Sequence, residues 1–74
     1  MAFNQTKGNV HVEACVFPAP GQRFKGALRI TTTRHNRQIL RITGRGCGRP
    51  VSSFAEALAL AELEARRMLG LDTP

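Results

Sequence analysis

Alternating apolar and polar residues along the first half of the chain predict β-strands. In residues 10–17 every second side chain, starting at Val10, is apolar, which is the period of a strand with one buried face. A second strand is predicted over residues 23–32 and a third over residues 37–43. In the third strand the apolar side chains of Leu40 and Ile42 are expected to face the core, which leaves Ile39, Arg41 and Thr43 outside.

Turn-forming residues separate these strands. Two prolines and Gly21 lie in the segment 18–21, where missing backbone donors and a residue that accepts positive φ predict a chain reversal. Residues 33–36 are predicted to form the next hairpin loop, because Asn36 tolerates the left-handed conformation that such loops need.

The last third of the chain predicts one helix. Ser53 and Glu56 have the spacing of a capping box, strong helix formers continue to Leu69, and Gly70 is placed to end the helix. A helical period of 3.6 residues places most of its apolar side chains on one side, which is predicted to be the core face. These residues are Phe54, Ala57, Leu58, Ala61, Ala65, Met68 and Leu69.

The chain is therefore expected to be one α+β domain, a three-stranded antiparallel sheet packed on one C-terminal helix in two layers. Its predicted parts are a flexible N-terminus (1–8), the sheet (9–43), a Gly/Arg loop (44–52), the helix (53–70) and a flexible tail (71–74). At 74 residues the core is small and the predicted stability is marginal.

Charge is distributed unevenly over these parts. The net charge is +6, but residues 1–50 hold nine basic residues against one acid (+8), while residues 51–74 hold two against four (−2). Such asymmetry is typical of a surface that meets a polyanion. It also fits a GC-rich genome that favours Arg, Ala and Gly codons.

The basic residues predict a nucleic-acid interface on the sheet face away from the helix, with help from the hairpin and the loop before the helix. A sheet of two or three strands can enter the major groove, so DNA is the favoured partner. The predicted interface comprises Arg23, Lys25, Arg29, Arg34, Arg37, Arg41, Arg45 and Arg49. The alternative is a solvated face whose like charges keep the protein in solution.

No catalytic constellation is found in the sequence, and we expect a protein that is not an enzyme. Cys47 lies between Arg45 and Arg49, which would stabilise a thiolate, but we interpret it as an exposed loop cysteine. His11 and Cys15 lie about 13 Å apart on one strand, too far to hold one zinc ion. The glycines at 44, 46 and 48 match neither a dinucleotide fingerprint nor a P-loop. No metal, cofactor or small-molecule substrate is therefore predicted.

A second functional class comes from the helix, where Leu60 and Leu63 are predicted to lie opposite the core face. An exposed pair of leucines would suit a homodimer, or a partner protein bound by an adaptor or inhibitor. Two cysteines without a disulfide framework, no signal-peptide pattern and no bilayer-length apolar run predict a cytoplasmic protein that does not span a membrane.

The predicted β-β-β-α order, the basic sheet and the helix entry Phe54-x-Glu56-Ala57 resemble the arm-type DNA-binding domains at the N-termini of tyrosine-family integrases. That resemblance covers residues 10–69 and implies a stand-alone DNA-binding accessory protein. The sheets of those domains carry aromatic residues, whereas this sequence has neither Trp nor Tyr. The layout is equally similar to small bacterial proteins of unknown function, which implies nothing about a ligand.

Overall fold

A computed structural model describes residues 3–70. It shows an antiparallel sheet with strand order β1-β2-β3-β4, covered on one face by a C-terminal helix. The elements are β1 (Asn4–Lys7), β2 (Val10–Ala19), β3 (Arg23–Arg34), β4 (Arg37–Thr43) and α1 (Phe54–Met68). The predicted α+β class is confirmed, but the sheet has four strands where three were expected.

The extra strand is β1, in a segment that was predicted to be a flexible N-terminus. It pairs antiparallel with β2 through a two-residue loop, Gly8-Asn9. Gly8 has a φ of +64°, as the first central residue of a type II′ hairpin turn requires. The ammonium of Lys7 donates to the Leu69 carbonyl at 2.7 Å, which ties β1 to the end of the helix. The predicted tail, 71–74, lies outside the described residues.

β2 continues two residues beyond its predicted end, through Pro18 to Ala19. The backbone N–H of Ala14 donates to the Phe3 carbonyl at 2.9 Å, and β1 pairs only with earlier residues of β2. Beyond Ala14 the outer edge of β2 is free within the described part of the chain, and an edge strand tolerates proline. The reversal then occurs at Gly21, whose φ is +77° as its predicted role requires.

The hairpin between β3 and β4 has a two-residue loop, shorter than the predicted loop of residues 33–36. His35 and Asn36 both have positive φ, +49° and +62°, the combination of a type I′ turn. The register pairs Arg34 with Arg37 and Ile30 with Arg41. Odd-numbered residues of β4 therefore share the helix-side face of the sheet with the core residues of β3.

The prediction that Leu40 and Ile42 face the core is consequently wrong. Both lie on the open face, the sheet face away from the helix, and each is 52% exposed. The helix packs on β2 and β3 and leaves β4 to one side. β4 is thus an edge strand with little cover on either face.

The core lies between the helix and the two central strands. It consists of Val12, Ala14, Leu28, Ile30, Cys47, Ala61, Ala65 and Leu69, with Phe3, Val10 and Leu58 packed at its margin. The backbone of α1 lies close to the sheet at Gly26, where an added Cβ would stand 2.5 Å from the Ala57 carbonyl oxygen. Phe54 and Met68, which were predicted to be core residues, are 54% and 42% exposed because they lie at the two ends of the helix.

The predicted helix start is confirmed, because the Ser53 side chain accepts a hydrogen bond from the Glu56 N–H at 3.2 Å. The reciprocal bond of a capping box, from the Ser53 N–H to the Glu56 carboxylate, is absent among the hydrogen bonds of residues 3–70. The helix ends at Met68, one residue before its predicted end, and Gly70 follows with a φ of +71°.

Candidate nucleic-acid interface

The hairpin formed by β3 and β4 carries the largest concentration of positive charge in the chain. From Arg23 to Thr43 there are six basic residues and no acid, and the acid-free stretch continues from Ala14 to Ala55. Two of the six, Arg34 and Arg37, lie directly opposite each other beside the turn. Like charges in directly opposed positions destabilise a strand pair. The repulsion between Arg34 and Arg37 is reduced by a bound anion or by the screening of surrounding water.

Four arginines follow the helix-side face and its margin from the tip of the hairpin to just beyond β4, about 26 Å at strand rise from Arg37 to Arg45. We call them the distal cluster: Arg34, Arg37, Arg41 and Arg45. The register places the first three on one face of the hairpin. Arg45 follows β4 and lines the same shallow depression as Arg41, together with Glu64 and Met68 of the helix. All four arginines are exposed.

The tip of the hairpin projects beyond the rest of the sheet. β2 begins at Val10, which pairs with Thr32, and Thr33 and Asn9 then share two hydrogen bonds: the Thr33 N–H donates to the Asn9 carbonyl at 2.9 Å, and the Asn9 side-chain amide donates to the Thr33 carbonyl at 3.0 Å. The pair Arg34–Arg37 and its turn extend beyond these bonds. Residues 33–38 are all exposed and form a two-stranded ribbon. The major groove, about 12 Å wide, admits a two-stranded ribbon.

The remaining predicted strand cations lie on the open face and form a separate group. Arg23, Lys25 and Arg29 point there by the strand alternation. Arg23 is eleven residues from Arg34, about 36 Å along the strand, so the two belong to different parts of the surface. Glu13 lies opposite Arg29 on the neighbouring strand and offsets part of the charge.

Lys25 has a structural contact that the sequence did not indicate. Its ammonium donates to the carbonyl oxygens of Gly44 at 2.7 Å and Gly26 at 3.2 Å. These bonds hold the start of the 44–52 loop against β3. Lys25 is therefore less available to an external anion than an unengaged arginine.

The prediction of a single basic face is corrected for Arg41. That residue was expected beside Arg29 on the open face, but it lies on the helix side, because the hairpin register reverses the expected orientation of β4. Arg34 and Arg37 share its face. Arg49 is exposed in the loop and does not line the depression that Arg41 and Arg45 share.

Carboxylates do not neutralise the distal cluster. Within residues 3–70 the one ion pair joins Arg67 to Glu64, at 3.3 Å along the helix. The Glu64 carboxylate also lies over Gly46, where an added Cβ would stand 2.5 Å from its oxygen. Arg41 and Arg45 stand near this carboxylate without pairing with it within 4.0 Å, so both keep donors free for phosphate oxygens.

Cys47 is fully buried in the core, which corrects its prediction as an exposed loop cysteine. Burial raises the pKa of its thiol, the nearby Lys25 ammonium opposes that shift, and the Glu64 carboxylate adds to it. A buried thiol with a raised pKa is a packing group and a poor nucleophile at neutral pH. Cys15 lies on the open face, and burial raises the pKa of its thiol as well.

The helix does not present Leu60 and Leu63 as an exposed pair. Leu60 is half-buried, and its Cδ1 packs close to Gly48 of the loop, 3.1 Å from where a Cβ would lie. Leu63 alone faces solvent, at 46% exposure. The predicted partner surface on the helix is thereby reduced to one leucine, and single exposed leucines are ordinary.

Residues 3–70 bring no group of three or more His, Cys, Asp or Glu side chains together as metal ligands. In the same part of the chain, no helix has both the length and the apolar character to cross a bilayer. Comparison of the chain with protein-family models, curated proteins and solved structures gives no match.

Proposed function

We propose that this protein is a small non-enzymatic nucleic-acid-binding module, and that duplex DNA is its preferred ligand. The observation that carries the proposal is the β3–β4 hairpin, which contains six basic residues and no acidic residue, and in which two arginines stand directly opposed beside the turn. A surface with that arrangement is stabilised when a polyanion lies against it.

In the proposed complex the tip of the hairpin, residues 33–38, enters a groove, and the distal cluster binds the phosphates along its rim. Arg34 and Arg37 share the helix-side face of the tip with Arg41, and Arg45 follows at the end of β4. Guanidinium groups donate two parallel hydrogen bonds to phosphate or to a guanine edge, which suits this role. Arg23, Arg29 and Arg49 supply longer-range attraction without sharing the contact.

The test replaces the two opposed arginines together, as Arg34→Gln with Arg37→Gln, and measures binding to a mixed-sequence duplex at low salt. We expect affinity to fall at least about tenfold, since each lost charge-assisted hydrogen bond contributes about 1 kcal/mol or more. The fold should persist, because the double substitution removes a like-charge pair from an exposed turn.

A matched control is Arg23→Gln with Arg49→Gln, which lowers the net charge by the same two units at exposed positions outside the distal cluster. We expect that variant to bind within about threefold of the wild type, because long-range attraction between exposed charges is weak and screened. Equal losses in the two variants would show that total charge, and not the hairpin, governs binding. No binding of the wild type to DNA or RNA would refute the proposal.

A further inference from the structure

The outer edge of β4 is an unpaired strand edge in the described part of the chain. Within residues 3–70, β4 pairs only with β3, and its seven residues contain neither proline nor glycine. Three of its side chains, Ile39, Leu40 and Ile42, are apolar and more than half exposed. An edge of this kind is a template for another strand, and proteins that remain monomeric usually interrupt it with proline, a bulge or charge. β4 has no proline and keeps a regular register with β3, and its charges are Arg37 and Arg41 on the helix-side face.

The backbone groups that β4 offers to a partner can be assigned. The N–H of Thr33 donates to the Asn9 carbonyl, which lies away from β4. Thr33 and its partner Gln38 are therefore a pair that exchanges no hydrogen bonds, so the backbone N–H and C=O of Gln38 point away from β3. Strand alternation makes the same true of Leu40 and Ile42. Three donors and three acceptors thus line the free edge.

These groups match a second copy of the same strand. If two β4 strands run antiparallel about a two-fold axis at Leu40, then Leu40 lies opposite its own copy and Gln38 lies opposite Ile42 of the second copy. All six outward-pointing groups on each strand are then paired, which is the self-complementarity that a two-fold interface requires.

Repulsion between arginines disfavours the neighbouring registers of the two β4 strands. An axis at Ile39 would place Arg37 opposite Arg41 of the second copy, and an axis at Arg41 would place that arginine opposite itself. Arginines in directly opposed positions destabilise a strand pair. The axis at Leu40 instead places Arg41 opposite Ile39, where the aliphatic part of the arginine can cover the isoleucine.

We propose that β4 is a homodimerisation edge, through which two copies of this chain join their sheets into one antiparallel sheet of eight strands with the axis at Leu40. Leu40 and Ile42 then form a four-residue apolar cluster with their counterparts on the open face. This inference does not depend on nucleic-acid binding.

The dimer and a nucleic-acid complex respond to salt in opposite directions. In the dimer the two Arg41 side chains are diagonal neighbours on the helix-side face, and their repulsion weakens as salt rises. Added salt should therefore tighten the dimer, whereas it weakens binding to a polyanion. The sign of the salt effect separates the two associations even where both occur.

The experiment is sedimentation equilibrium without nucleic acid, from about 1 µM to about 1 mM protein. The wild type should convert from monomer to dimer as the protein concentration rises. Leu40→Lys should raise the dissociation constant at least about 30-fold, because it places two ammonium groups directly opposite each other. Leu63→Lys, the same change at an exposed leucine on the helix, should stay within about twofold.

A second variant, Leu40→Pro, removes only an N–H that points away from β3, so the internal ladder stays intact while edge pairing is blocked. It should sediment as a single chain with unchanged strand content by circular dichroism. A wild type that stays a single chain over the whole range would overturn the proposal. So would a loss of dimer in Leu63→Lys as large as that in Leu40→Lys.

Discussion

At Gly26 the helix approaches the sheet so closely that no side chain fits. A Cβ there would lie 2.5 Å from the Ala57 carbonyl oxygen and 3.2 Å from the Ala61 Cβ. We predict that Gly26→Ala lowers the free energy of unfolding by about 1 to 3 kcal/mol, the usual cost of overpacking a core. Urea denaturation monitored by circular dichroism measures this loss.

Gly44→Ala is the control for that substitution, because its added Cβ would lie 3.1 Å from the Lys25 Nζ, which a small shift of the lysine side chain relieves, and at ordinary contact distance, 3.6 Å, from the Gly26 carbonyl oxygen. We expect its unfolding midpoint to stay near that of the wild type. A Gly26→Ala variant as stable as Gly44→Ala would show that the helix and sheet are farther apart than described.

Cys47 makes stability depend on pH. Burial raises the pKa of its thiol above the ordinary value of 9.0, so the unfolded chain loses this proton at a lower pH than the folded protein does. The contribution to stability is therefore full below about pH 9.0 and declines as the pH rises from there through the folded-state pKa.

Unfolding measured between neutral pH and pH 10.5 should consequently show a steeper loss for the wild type than for Cys47→Ala, which has no thiol to titrate. Cys47→Ala will be less stable at neutral pH because it leaves a cavity, so the comparison concerns the slope and not the starting value. Parallel pH profiles for the two proteins would contradict a buried thiol at this position.

The burial of Cys47 also shows which residues the sequence cannot assign to the core, namely those in loops. Strand and helix positions reveal their buried faces by periodicity, but the 44–52 loop has no period. The loop leaves the sheet after β4 and returns where Val51 bonds to Phe24 of β3, and this path brings Cys47 over Leu28 and the helix alanines. Only that three-dimensional path distinguishes a core cysteine from an exposed one.

At the scale of elements, β1 turns a segment expected to be flexible into part of the sheet. Phe3 packs at the margin of the core, and the Arg66 guanidinium lies 5.9 Å from its ring centroid. We predict that Phe3→Ala lowers the free energy of unfolding by about 1 to 2 kcal/mol, less than for a fully buried phenylalanine. Gln5→Ala, at an exposed position of the same strand, should change it by no more than about 0.5 kcal/mol.

Chemical denaturation of the Phe3→Ala and Gln5→Ala variants distinguishes a structured β1 from a flexible N-terminus. If Phe3→Ala unfolds like Gln5→Ala, the N-terminal segment contributes nothing and the original expectation of a flexible terminus stands. The sequence does not predict β1, because its four residues are all polar and exposed and so show no apolar–polar alternation. The Gly8-Asn9 dipeptide was nevertheless a signal for a two-residue hairpin.

The apolar content of β4 predicts the wrong orientation for this strand. Residues 39, 40 and 42 are all apolar, so the strand has no clear alternation. Loop length determines the register of a hairpin, and a loop of two or four residues alike places Ile39 and Arg41 on the face of Ile30. Loop length therefore predicts that Arg41 lies on the helix side and that Leu40 and Ile42 lie on the open face, as the structure has them.

At the scale of the whole molecule, the sequence predicts the class, the helix and its alanine core, because those depend on local spacing and capping. It does not predict which cations share a surface, since that depends on register and on the path of the loop. The resemblance to arm-type DNA-binding domains remains a hypothesis, because the extra strand β1 belongs to the fold and no comparison bears on the likeness.

The central claim is that the distal cluster binds nucleic-acid phosphates, and the salt dependence of DNA binding tests it most directly. Four phosphate contacts predict a slope of log affinity against log salt of about −3.6, and loss of two contacts in the Arg34→Gln, Arg37→Gln variant predicts about −1.8. Wild-type affinity with a slope near zero, or an equal slope in the two proteins, would contradict the account.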